Sequence, residues 1–161
     1  MMKVGPSEIV HRNMRFVIID RPTKSNVQQY VQQLKKHNTS MVVRICEATY
    51  EDTVFEKEGI LVKELMFEDG AEPPAPIIKD WLVLVKNMFT DKPQSAVAVH
   101  CVAGLGRAPV LVAIALIDGG MRFEDAVEFI RRHRKGAINA RQLEFLERYK
   151  ASTNKKGCVV M

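Results

Sequence analysis

The chain has 161 residues, 47% hydrophobic and 27% charged, with a formal net charge of +5; that length builds one domain with a sizeable core and excludes a second of similar size. Three cysteines and no apolar stretch of signal-peptide type argue against a disulfide-stapled secreted domain and for a reducing intracellular compartment. No segment is apolar for the ~18 residues that a membrane span needs, and the positive charge is concentrated, with nine Lys/Arg against two acids between Arg131 and Lys156. Such a stretch suits phosphates, nucleic acid or an anionic membrane, or is simply a solvated helix face.

In chain order, Arg15-Phe-Val-Ile-Ile19 is a short apolar run closed by Asp20 and Pro22, and Ser40-Met-Val-Val-Arg-Ile45 is a second, after the polar Lys36-His-Asn-Thr39. Both predict strands. Between them Val27, Tyr30, Val31 and Leu34 recur at helical spacing, with Ser25 or Asn26 as N-cap. Ile60 to Leu65 predicts a third strand. Gly70 to Pro76 breaks the chain before Ile77, Trp81, Leu84, Val85 and Met88 line one face of a helix that Pro93 ends. Ala96-Val-Ala-Val99 has the composition of a buried strand, and Val110 to Ile117 is apolar nearly all round, as in a helix inside the core. Gly119-Gly120 stops it, and Phe123 to Arg134 and Arg141 to Lys150 follow as amphipathic helices. Alternation of strands and helices predicts an α/β domain over residues 1–150, with a mostly parallel central sheet flanked by helices, and a basic, disordered tail over 151–161. In such folds ligands bind at the carboxyl ends of the strands, which directs attention to the turn after Val99.

That turn is His100-Cys-Val-Ala-Gly-Leu-Gly-Arg107. It runs from a buried strand into a helix, with Cys101 at the strand end, Arg107 at the helix start, and Val102, Ala103, Gly104, Leu105 and Gly106 between them. Gly104 and Gly106 permit the dihedrals that turn successive backbone N–H groups inward, which makes an anion-binding nest at the positive end of a helix. The same field favours the Cys101 thiolate, a nucleophile. Arg107 can clamp two phosphate oxygens in a planar fork and stabilise the charge that develops during transfer. Taken alone, Cys-x5-Arg is a short pattern: a Gly-rich turn can merely pack, and rhodanese-like sulfurtransferases and arsenate reductases use similar loops.

The longer string HCVAGLGRAP resembles the active-site loop of the protein tyrosine phosphatase superfamily. With Ala-Pro after the Arg, it is similar to the phosphatases of regenerating liver, the prenylated type IVA subfamily of the dual-specificity cysteine phosphatases. Asn13-Met-Arg-Phe16, Val43-Arg-Ile-Cys-Glu-Ala-Thr-Tyr50, Glu58-Gly-Ile60, Phe67-Glu-Asp-Gly70, Asp80-Trp-Leu82, Gly119-Gly-Met121, Lys135-Gly-Ala-Ile-Asn139 and the terminal CVVM extend the resemblance over nearly the whole chain. It implies a phosphatase that works through a phosphocysteine on Cys101, without metal or cofactor.

The resemblance also implies roles. Asp69 matches the general acid that protonates the leaving oxygen from a loop over the pocket; Glu68 is the neighbouring alternative, and an Asp-Gly pair without the family is more often a turn. His100 orients the loop, or is a satisfied core histidine. Cys46 is by default a small buried hydrophobe, but its match in the family is the resolving cysteine that forms a reversible disulfide with Cys101. Glu47 reads as a carboxylate bracing Arg107, and Asn139 and Gln142 as positioning the hydrolytic water. Most relatives carry Ser or Thr directly after the loop Arg, where the hydroxyl helps the thiolate leave; this chain has Ala108, and slow turnover is expected.

Cys158-Val-Val-Met161 fits the C-a-a-X rule, with Met favouring farnesylation of Cys158. One lipid chain anchors weakly, so Lys150, Lys155 and Lys156, assisted by Arg131, Arg132, Arg134 and Lys135, are expected to supply a second, electrostatic signal on an anionic membrane. The implied localisation is the cytoplasmic face of the plasma membrane and endosomes, or cytoplasm and nucleus when unprenylated. The implied substrate is a phosphotyrosine protein, phosphoserine/threonine or a phosphoinositide, and nucleic acid is not expected. The alternative is a binding module for the CBS-pair domain of a cyclin-M-type magnesium transport mediator, switched by phosphorylation or oxidation of the cysteine. A homo-oligomer at the membrane is also open.

Overall fold

In the computed structural model, which describes residues 5–149, the apolar runs become the middle of one five-stranded sheet. The elements are β1 (Ser7–His11), β2 (Met14–Ile19), α1 (Val27–Lys36), β3 (Thr39–Arg44), α2 (Thr53–Glu56), β4 (Leu61–Glu64), α3 (Ala75–Asp91), β5 (Ala96–His100), α4 (Arg107–Asp118) and α5 (Phe123–His133). A further helix, α6, covers 140–149. The strand order is β1-β2-β5-β3-β4. β5 lies parallel to β2 on one side and to β3 on the other, β4 is parallel to β3, and β1 alone is antiparallel, to β2. The sheet is therefore mixed and mostly parallel, in an α/β domain as expected.

The period-two alternation of the strands sorts the core into two layers. Phe16, Ile18, Met41, Val43, Val97 and Val99 face α3, α4 and α5, while Val17, Ile19, Val42, Ala96 and Ala98 face α1 and α2. α4 is buried from Arg107 to Ile117. That accounts for a sequence with no polar face, since the helix packs between the sheet and its neighbours α3 and α5. The Trp81 indole donates to the Leu111 carbonyl at 2.7 Å and fixes α3 against α4.

Two elements escape the sequence patterns. β1, Ser7-Glu-Ile-Val-His11, has only two consecutive apolar residues, of which Ile9 is buried and Val10 exposed; its pairing follows from a tight turn in which Arg12 adopts φ 54°. α2 is a single turn whose one buried residue is Phe55.

Candidate active site

Central β5 ends at His100 and α4 begins at Arg107, so the turn between them lies at the carboxyl edge of the parallel strands. Its backbone can be accounted for peptide by peptide. The Cys101 carbonyl accepts from His100 Nδ1 at 3.0 Å and from the Cys46 thiol at 3.3 Å. The Val102 carbonyl accepts from the Arg21 amide at 2.9 Å, and that of Leu105 from the Ile138 amide at 2.7 Å. The Ala103 and Gly104 carbonyls accept from the Arg134 guanidinium at 3.5 and 3.0 Å. Gly106 caps α4 and its carbonyl accepts from Val110 N at 3.1 Å. With every peptide trans, each N–H points away from its own carbonyl, so the amides from Val102 to Arg107 turn toward the inside of the loop. The anion nest expected from the glycine pattern is thus built by groups that draw the carbonyls outward. Gly104 is at φ +68°, a conformation that a side chain would strain.

Cys101 is buried, at 3% exposure. Behind it the His100 ring is fixed at both nitrogens: Nδ1 donates to the Cys101 carbonyl, and Nε2 accepts from the Tyr50 hydroxyl at 2.7 Å. Burial lowers the His100 pKa to about 4, so the ring is neutral at physiological pH. Burial pushes Tyr50 up to about 12, which keeps its hydroxyl a donor. Arg44, itself paired with Asp52 and Glu64, stacks over the Tyr50 ring at 5.2 Å. The Cys46 thiol lies beside the Cys101 carbonyl, its pKa raised by burial, and both cysteines are free thiols.

Arg107 is buried, and its Nη1 donates to the Ile45 and Phe67 carbonyls at 3.1 and 3.2 Å. Its Nε has no hydrogen-bond partner and lies 3.7 Å from Asp69 Oδ1. The Asp69 side chain is 83% exposed, at the lip of the loop after β4. Glu68 is also exposed, and no ion pair joins it to Arg107 among the described residues. Glu47, expected to brace Arg107, is exposed and is not among its partners; main-chain carbonyls hold the guanidinium instead.

Asn139 and Gln142 have a double role. Asn139 Oδ1 accepts from the Gln142 amide at 2.8 Å and Gln142 Oε1 from the Asn139 amide at 3.0 Å, a reciprocal cap on α6. With Oε1 committed to the cap, the buried Nε2 of Gln142 has no partner and reaches 3.4 Å from where a side chain on Gly106 would begin. A second buried donor therefore lies against Gly106 of the loop.

Arg134 requires a correction. Grouped in the sequence with Arg131, Arg132 and Lys135 as membrane-facing charge, it is 2% exposed and spends its guanidinium on the protein interior. Arg131, Arg132 and Lys135 remain on the surface. Cys158 and the tail 151–161 lie outside the described residues.

The profile of the family described as "Polymorphic toxin system, DSP-PTPase phosphatase" matches residues 17–121, a span from β2 through the Cys101 loop and α4. Protein tyrosine phosphatase type IVA 3 of Homo sapiens is 49% identical over 170 residues, covering 100% of this chain and 98% of the human protein. The same protein of Bos taurus is 53% identical over 150 residues, 93% of this chain and 87% of the bovine one.

The chain belongs to the protein tyrosine phosphatase type IVA family.

A PRL-1 phosphatase of Drosophila melanogaster is 48% identical over 155 residues, 96% of this chain and 88% of that protein. Among solved structures, a protein tyrosine phosphatase from Leishmania major superposes with a TM-score of 0.78 at 35% identity, covering 88% of this chain and 96% of its own. Kinase associated phosphatase reaches 0.79 at 18% identity over 95% and 97%, a likeness of fold alone. Like its relatives, this type IVA chain is a protein tyrosine phosphatase of the dual-specificity superfamily, acting on phosphoprotein.

Proposed function

We propose that this phosphatase cleaves its ester through a phosphocysteine on Cys101, and that the intermediate outlives its formation. The Cys101 sulfur attacks phosphorus, the bond to the leaving oxygen breaks, and Asp69 gives that oxygen a proton. Water then attacks phosphorus, the P–S bond breaks, and the Asp69 carboxylate takes the water's proton. The inward amides of the loop, Arg107 Nε and Gln142 Nε2 hold the phosphoryl oxygens or the attacking water throughout. The observation that carries this reading is the presence of two buried donors without a hydrogen-bond partner, Arg107 Nε and Gln142 Nε2, at a loop whose carbonyls all turn away. Slow breakdown rests on Ala108, which is fully buried in the same cluster as Cys101 and offers no hydroxyl to the departing thiolate. Cys46, beside the nucleophile's carbonyl, forms a reversible disulfide with it under oxidation.

A second reading is supported by the apolar mouth of the site. Val102 and Leu105, on the loop itself, are 44% and 40% exposed, and Met66 near Asp69 is 43% exposed. Such a rim suits a protein surface, and the partner that the resemblance implies is the CBS-pair domain of a cyclin-M-type magnesium transport mediator. A long-lived phosphocysteine then blocks docking. Farnesylation of Cys158, with the exposed Arg131, Arg132 and Lys135 as electrostatic support, brings the protein to the cytoplasmic face of plasma and endosomal membranes, where it self-associates.

Intact-mass measurement over time after addition of an aryl phosphate tests the proposal. One phosphate's increment that persists in the wild type and never forms in Cys101→Ser is the expected result. Turnover retained by Cys101→Ser removes the mechanism.

A further inference from the structure

We infer that Arg134 is a positioning residue for phosphate binding, the group that sets the orientation of the two central peptides of the Cys101 loop. It stands just past α5 and sends its guanidinium through the core to three separate segments. On one side Nη1 donates to the Gly5 carbonyl and the Ser7 hydroxyl, both at 3.1 Å, and to the Ile18 carbonyl at 3.4 Å. Nη2 pairs with Asp20 at the end of β2. On the other side Nε and Nη2 reach the Gly104 and Ala103 carbonyls.

Those two carbonyls belong to the peptides whose N–H groups are Gly104 N and Leu105 N. A peptide that flips there exchanges an inward donor for an inward oxygen, and an anion meets repulsion where it had a hydrogen bond. The neighbouring peptides are held by main-chain amides of Arg21 and Ile138; the central two depend on one side chain. Gly104 is matched to it, because a Cβ there would come within 2.6 Å of Nη2. The planar fork is what the geometry demands: one cation must satisfy acceptors on both sides in fixed directions, and a lysine ammonium cannot.

This rests on the Cys101 loop being the phosphate site. The experiment compares wild type with Arg134→Lys by orthovanadate inhibition, by kcat and KM on an aryl phosphate, and by thermal unfolding as a check on the fold. Arg134→Lys is expected to remain folded at assay temperature, to weaken orthovanadate inhibition about tenfold to a hundredfold, and to raise KM in parallel. A folded Arg134→Lys that binds orthovanadate like the wild type overturns the inference and makes Arg134 a core staple. If the wild type itself is not inhibited by orthovanadate, the phosphate-site reading falls instead. Should Arg134→Lys not fold, Asp20→Asn takes its place, since the Asp20 side chain is 26% exposed and its loss frees Nη2 from its anchor. About threefold weaker inhibition is then expected, and unchanged inhibition overturns the inference.

Discussion

The two segments that meet at the site are built in opposite ways. From Cys101 to Gly106 every carbonyl is held by a group outside the turn or by α4, and the nucleophile is 3% exposed. From Leu65 to Pro74 the acid-bearing segment buries Leu65, Phe67 and Ala71, yet between them Asp69 is 83% exposed and the Gly70 carbonyl accepts a long bond from Asn139 Nδ2 at 3.5 Å. Binding an anion requires dipoles that do not reorganise, so rigidity there is productive. Delivering a proton to leaving groups of different size requires reach, so a loosely held carboxylate is productive too. Arg107 joins the two, with its guanidinium between the carbonyl of Phe67 and the carboxylate of Asp69.

The sharpest way to break this contrast is at that joint. Arg107→Lys keeps the charge and loses the fork, and kcat/KM on an aryl phosphate is expected to fall by about 10²–10³-fold; near-normal kinetics would make Arg107 merely structural. Asp69→Asn acts on the loose side alone. It should lower kcat about a hundredfold on esters with poor leaving groups, much less on activated aryl phosphates, and leave orthovanadate inhibition unchanged. A uniform loss across leaving groups would reassign the acid, with Glu68 next in line. The rigid side carries its own pH signature. His100 titrates near 4 when folded against 6.5 when free, so the unfolded chain binds the proton more readily. The contribution of His100 to stability is therefore full above about pH 6.5, is lost to the extent of roughly 3 kcal/mol as pH drops toward 4, and changes no further below. Urea unfolding across that range checks it, and His100→Gln should flatten that part of the slope.

Legibility in the sequence followed the same division. The strands β2, β3 and β5, the core helix α4 and the Cys101 loop were readable because each is a local pattern: an apolar run, a glycine spacing, a nucleophile five residues before an arginine. β1 was not, since its five residues carry a single fully buried apolar side chain. The cap Asn139-Ala-Arg-Gln142 has the spacing of a capping box, a signal that could have placed Gln142 at the start of α6 before its Nε2 was seen to lie against the loop. Arg134 had no such signal. Its acceptors come from residues 5, 7, 18, 20, 103 and 104, and in the sequence it looks like one more charge in a basic stretch.

Ala108 tests the central claim, that a phosphocysteine on Cys101 forms quickly and breaks down slowly. A hydroxyl beside the sulfur would stabilise the departing thiolate by about 1.5–3 kcal/mol, roughly tenfold to a hundredfold in rate. Rapid mixing of wild type and Ala108→Ser with a chromogenic aryl phosphate separates the two steps. The expected result is a burst of one equivalent in both, with steady-state turnover at least about tenfold faster in Ala108→Ser. A burst that changes while the steady state does not would place the slow step elsewhere and contradict the account.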